Sequence, residues 1–153
     1  MLIHEMTEDE CRAALERVSF GRLGCARDNQ PYVVPIYFSS NGKHLYGFST
    51  PGQKIEWMRS NPLVCLEIEE WTSHDHWMSV VVSGRYEELP DTPEFAADRA
   101  QAHQALQKHA TWWQYTAIPG AEWRRKSAPF SPIFYRIHVT KVTGHRATPT
   151  ERA

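Results

Sequence analysis

The segment Ser49-Thr50-Pro51-Gly52-Gln53-Lys54 gathers two hydroxyls, a proline, a glycine and an ammonium group. Thr50 suits a helix N-cap, Pro51 the first helical position and Gln53 the far end of a Thr-x-x-Gln capping box. The helix is predicted to run from about Pro51 to Arg59 and to close at Ser60-Asn61-Pro62. Lys54 is out of place there. A cation in a first turn opposes the helix dipole by roughly 0.3–1 kcal/mol, and Pro51 to Lys54 contains no Asp or Glu. An anion resolves the conflict: free N–H groups, two hydroxyls and one ammonium converging on a point suit a phosphate. Gly52 lets such a ligand approach closely. The plainer alternative is a surface helix that starts Ser/Thr-Pro and carries a lysine.

A second chemical signal is Tyr32-Val33-Val34-Pro35-Ile36-Tyr37-Phe38. The run is almost continuously apolar, which predicts a strand buried on both faces. Pro35 removes a ladder donor from it, and proline is normally confined to edges or bulges. Either the sheet opens here, leaving backbone N–H and C=O groups to serve the edge of a flat heteroaromatic such as a flavin, or this is a simple edge strand. His74-Asp75-His76 offers metal-ligand types at close spacing, but no third ligand accompanies it and a polar loop is the preferred reading. Trp112-Trp113 reads as core or interface, and Arg124-Arg125-Lys126 as a solvated loop. The motifs of serine hydrolases, zincins, P-loops and dinucleotide-binding turns are absent. No side chain stands out as a catalytic acid or base.

The elements that must hold these residues follow from patterning. Thr7-Glu8-Asp9-Glu10 is a capping box, and Cys11, Ala14, Leu15 and Val18 continue it as a short amphipathic helix. Leu23 and Cys25 begin a strand, Asp28-Asn29-Gln30-Pro31 turns it into the Pro35 strand, and Asn41-Gly42 signals a hairpin to Leu45-Tyr46-Gly47-Phe48. After the Lys54 helix, Val64, Leu66 and Ile68 alternate in a half-buried strand. Thr72 to His76 is a loop, and Trp77 to Glu88 a long strand. Asp91-Thr92-Pro93-Glu94 starts a helix with Pro93 at its first position, running to about Lys108. Thr111 to Pro132 is irregular, Ile133 to Val139 is the last strand, and residues 146–153 read as a loose tail. Six strands joined by tight turns, with three helices, predict a mainly β fold: a six-stranded antiparallel barrel.

Composition narrows the function. A chain of 153 residues favours one domain, residues 1–153. Lys plus Arg number 17 and Asp plus Glu 18, so neither nucleic acid nor an anionic membrane is an expected partner. Cys11, Cys25 and Cys65 are odd in number and lie in apolar surroundings. They read as buried thiols in a reducing compartment. No signal-peptide pattern and no 18-residue apolar run occur, so a cytoplasmic location is expected. Six Trp and six Tyr suit interfaces and flat-ligand pockets as well as a core.

Four segments in order resemble the pyridoxamine 5′-phosphate oxidase-like, FMN-binding split-barrel superfamily, in particular its small branch containing nitroimidazole-resistance proteins. They are Gly21-Arg22-Leu23-Gly24; Gln30 through Phe38; Leu45 through Ser49, continuing via Gly52-Gln53-Lys54 to Asn61-Pro62; and Ser79-Val80-Val81-Val82-Ser83-Gly84-Arg85. Tyr135-Arg136-Ile137 and Val142-Thr143-Gly144 extend the likeness over residues 7 to 145. The resemblance implies a Greek-key split β-barrel and a homodimer with FMN at the subunit interface. It implies that the backbone of Val33, Val34, Pro35, Ile36 and Tyr37 borders the isoalloxazine. Ser49, Thr50 and Lys54 would hold the phosphate, Phe48 would lie near the ribityl chain, and Ser79 and Val80 would approach from a neighbouring strand. Trp77, Trp112 or Trp113 would be a partner contribution. The ending Thr150-Glu151-Arg152-Ala153 lacks the Arg-Leu-x-Pro pattern of the true oxidases, which argues against pyridoxamine phosphate as substrate. The implied function is an FMN-dependent oxidoreductase acting on a small molecule, with a nicotinamide cofactor as a candidate second substrate. A non-catalytic flavin-binding module and a haem-binding split barrel are the alternatives.

Overall fold

The computed structural model describes residues 1–108 and 133–150. The stretch Thr111 to Pro132, expected to be irregular, with Trp112, Trp113 and Arg124-Arg125-Lys126, and residues 151–153 lie outside them. The elements in order are β1 (Leu2–Glu5), α1 (Glu8–Arg17), β2 (Phe20–Arg27), β3 (Gln30–Ser40), β4 (His44–Ser49), α2 (Gln53–Ser60), β5 (Leu63–Ser73), β6 (His76–Leu89), a 3-10 turn (Pro93–Phe95), α3 (Ala96–Leu106) and β7 (Ile133–Thr148).

All strand pairings are antiparallel. The strand order is β1-β7-β4-β3-β2-β5-β6, and β6 pairs in addition with β7. That last pairing closes six strands, β2 to β7, into the expected split barrel. β1 is a seventh strand that the sequence reading missed. All four of its residues are exposed, so it shows no alternation, and only its register with His145 to Thr148 of β7 defines it. Residues 146–148 are correspondingly strand and not tail: Ala147 is 1% exposed.

The local signals act as their chemistry dictates. Thr7 caps α1, with Glu10 N donating to Thr7 Oγ1 (3.2 Å) and Thr7 N donating to Glu10 Oε2 (2.8 Å). Asp28 and Asn29 both adopt positive φ (51° and 63°), the conformation a two-residue hairpin turn requires. Gly42 turns the next hairpin at φ 88°, where Asn41 Oδ1 accepts from Lys43 N and His44 N. β5 and β6 run further than expected, meeting in a tight turn at His74-Asp75.

The barrel interior is filled by inward side chains such as Leu23, Leu66, Ile68, Val80 and Val82. α1 closes it with Cys11, Ala14 and Leu15, and α2 with Ile55 and Met58. A second cluster lies outside the barrel under α3, where Tyr46, Phe48, Leu89 and Phe134 meet Ala102 and Leu106. Among the described residues no helix is long and apolar enough to cross a membrane.

Candidate functional site

β3 departs from expectation in an informative way. Ile36 and Phe38 point inward and are buried, but Val33 is 63% and Tyr37 45% exposed, with Pro35 exposed between them. A continuous apolar run does not by itself separate a strand buried twice from one with an apolar outer face. β2 accompanies β3 along Gln30 to Tyr37, whereas β4 pairs only with Phe38, Ser39 and Ser40. Both readings of Pro35 therefore merge: this half of β3 is an edge, and it is an edge because the barrel splits there. Among the described residues no strand lies on its other side.

Ser49 to Lys54 occupy the place where β4 leaves that split. In the β3–β4 register Phe38 faces Gly47, so the end of β4 and the start of α2 lie towards Ile36 and Pro35. The helix begins two residues later than the sequence suggested. Gly52, in fully extended backbone, is the N-cap, and no side chain caps it. Thr50 therefore does not cap α2, and Ser49, 1% exposed, donates its hydroxyl to Thr50 O at 2.7 Å. Lys54 falls at the second helical position, and Glu56 enters the first turn. Lys54 is half-buried. Burial holds its ammonium below the ordinary lysine value, opposed only by the Cys25 thiol nearby. Among the described residues no carboxylate pairs with it.

Cys25 is 5% exposed on β2. Burial and the neighbouring Cys65 push its thiol up, while Lys54 draws it down. Cys65 is exposed, not buried as its surroundings in sequence suggested. Its Sγ lies over Gly24, where a Cβ would sit 2.6 Å away. Gly24, Tyr32, Val33, Leu63, Cys65 and Ser83 line a mainly apolar groove of about 490 Å3 that crosses the outer faces of these strands. Cys25 borders it as well. Of these residues the sequence reading pointed only to Val33. Gly24 was legible as part of Gly21-Arg22-Leu23-Gly24, but the opposition of Cys65 to Gly24 needs the β2–β5 register.

The remaining expected residues lie apart. Phe48 packs edge-on against Phe134 (5.2 Å between centroids) in the cluster under α3. Val80 is fully buried inside the barrel, so Val81 is the outward residue there. Ser79 faces outward and donates to Glu67 Oε1 at 3.0 Å. β6 is not the neighbour of β3, since β2 and β5 separate them. Within one chain Ser79 and Val80 are thus not brought to Lys54. His74 is 88% exposed, and among the described residues no group of three His, Cys, Asp or Glu is arranged to hold a metal.

Comparison with known proteins agrees with this architecture. An uncharacterized protein of Rhizobium meliloti strain 1021 is 40% identical over 151 residues, covering 99% of both chains. A solved structure of a FAD-binding protein from Mesorhizobium loti is 42% identical, with a TM-score of 0.77 over 97% of this chain and 99% of that one. A candidate 5-nitroimidazole antibiotic resistance protein from Bacteroides thetaiotaomicron shares the fold at 18% identity, with a TM-score of 0.67 over 95% and 89% of the two chains. The family model for pyridoxamine 5′-phosphate oxidase matches residues 7–146, and the chain belongs to that family.

Proposed function

We propose that this chain binds a flavin nucleotide through the riboflavin 5′-phosphate unit that FMN and FAD share, and uses it as an oxidoreductase. The observation that carries the reading is Lys54: a half-buried ammonium near Cys25 of β2, with no carboxylate partner among the described residues. Leaving a charge so placed without a counter-ion is costly, and a phosphate supplies one. The 42% identical relative, named as FAD-binding, supports a flavin over other phosphorylated ligands.

In this reading Lys54 and the uncapped N–H groups of α2 hold the phosphate. Backbone groups of Val33 to Tyr37 on the split edge pair with the polar rim of the ring, and the groove over Gly24 and Val33 keeps its surroundings dry. A bound flavin supplies the electron-pair transfer; the protein supplies orientation and exclusion of water. The substrate is a small flat molecule, or a reduced nicotinamide, that reaches the ring.

The site is completed by a second copy of the chain. Phe20, Val33, Tyr37, Leu63 and Val81 expose apolar side chains on the outer sheet surface around the ion-paired Arg22, with Phe20 edge-on to Tyr37 at 5.1 Å. Such a surface marks an interface. A partner docked there brings Ser79 and Trp77 towards the ring. The cytoplasm suits three free thiols. The test is the absorption spectrum of purified protein before and after FMN addition, followed by turnover with reduced nicotinamide and a panel of acceptors. Flavin bands with turnover are expected; a colourless protein that takes up no flavin overturns the reading.

A further inference from the structure

Trp57 lies one turn beyond Lys54 on α2, so the two side chains leave the same side of the helix. Its indole packs against Tyr32, with ring centroids 5.4 Å apart, and Tyr32 also lines the groove. The guanidinium carbon of Arg27 lies over the same indole, 5.2 Å from its centroid. Arg12, Arg17, Arg22, Arg59, Arg99, Arg136 and Arg146 each reach a carboxylate. Exposed Arg27, like exposed Arg85, reaches none among the described residues, and Arg27 alone of these two spends its charge on a ring face. That is a weaker interaction than a charge-assisted hydrogen bond to an anion.

We propose that Arg27 and Trp57 bind the adenylate half of FAD, so that the chain prefers the dinucleotide to FMN. The inference rests on the flavin reading and assigns its ligand. Lys54 meets the phosphate attached to the ribityl chain. A dinucleotide adds a second phosphate and a purine beyond it. Guanidinium is the side chain best matched to a phosphate, and indole gives a purine a flat surface on which to stack. Arg27 exchanges the indole for the pyrophosphate, and the adenine takes the ring face it leaves. FMN ends at Lys54 and uses neither residue.

The test compares FAD and FMN titrations of the wild-type protein, Arg27→Gln and Trp57→Leu, read by calorimetry. Wild type is expected to bind FAD at least about tenfold more tightly than FMN. Each variant is expected to lose that margin while its FMN affinity stays within about twofold. Equal wild-type affinities, or variants that weaken both flavins alike, overturn the assignment and leave flavin binding standing. A wild-type protein that binds neither flavin overturns both. Trp57 supports Tyr32, so thermal melts accompany its variant; Arg27 is exposed, and its variant carries the test if Trp57→Leu fails to fold.

Discussion

His44 on β4 and His138 on β7 face each other across the sheet, with Nε2 of His44 3.0 Å from Nδ1 of His138. The far nitrogen of His138 meets Glu87 Oε2 at 2.7 Å. Arg136 then binds Glu87 (2.6 Å) and, from α3, Asp98 (2.8 Å). One N–H between the two rings makes the hydrogen bond, and a second on the facing nitrogen would set donor against donor.

Acid should therefore destabilise the fold in two steps. Burial first, then the nearby His138 and Arg136, hold His44 below the ordinary histidine value. The unfolded chain takes up that proton near pH 6.5, before the folded one does, so stability falls as pH drops through about 6.5. Burial raises the Glu87 carboxyl, but hydrogen bonds from His138 and Arg136 overcome it and leave the group below its ordinary value. Its contribution is present above about pH 4.3 and is lost as pH falls through the folded value. Thermal melts from pH 8 to 2 should show both steps. His44→Gln should flatten the upper one and spare the lower; a variant that keeps both assigns the upper step elsewhere.

Gly47 is predicted to resist substitution. The ring of Tyr135, 1% exposed, lies directly over it and fills the space a Cβ would need. Tyr135 is fixed in turn by Tyr86, 5.4 Å away between centroids. Gly47→Ala should cost about 1–3 kcal/mol through overpacking, measurable by urea denaturation. Pairing it with Tyr135→Leu should recover part of the loss, and a fully additive double variant would show that the two sites are not coupled.

Much of this was legible in residue order because the signals were local. The Thr7 capping box, the Asn41-Gly42 turn and the alternation of Val64, Leu66 and Ile68 depend on neighbours within a few residues. What stayed hidden depends on register. Nothing in the run Tyr32 to Phe38 says that β4 accompanies only its last residues, so the open edge and the outward Val33 and Tyr37 could not be read. The family pattern groups Ser79 and Val80 with Lys54, but the strand order separates them within one chain. Arg27 over Trp57 brings together residues 30 positions apart that carry no pattern at all.

The exposed apolar surface predicts a dimer that charge should dissolve. Val33 and Tyr37 contribute little to the fold of a single chain, being 63% and 45% exposed. The double variant Val33→Glu with Tyr37→Glu should leave the melting temperature of the monomer fold nearly unchanged. In sedimentation equilibrium it should shift a dimeric protein to monomer, because like charges would meet across an isologous interface. Wild-type protein that sediments as a monomer at micromolar concentration would remove the interface.

Lys54 offers a prediction whose sign changes with ligand. Without an anion its half-buried ammonium loses hydration and gains no carboxylate partner among the described residues. Lys54→Met keeps the length of the side chain and removes that penalty. The ligand-free variant should therefore be as stable as wild type, or more so, by thermal melt. With a phosphate bound the balance reverses. A charged hydrogen bond is worth roughly 1.5–3 kcal/mol, so the variant should bind FMN about ten- to a hundredfold more weakly. Riboflavin, which lacks the phosphate, should bind both proteins alike. If riboflavin and FMN lose affinity together, Lys54 supports the ring pocket and does not hold the phosphate; if neither changes, the anion sits elsewhere.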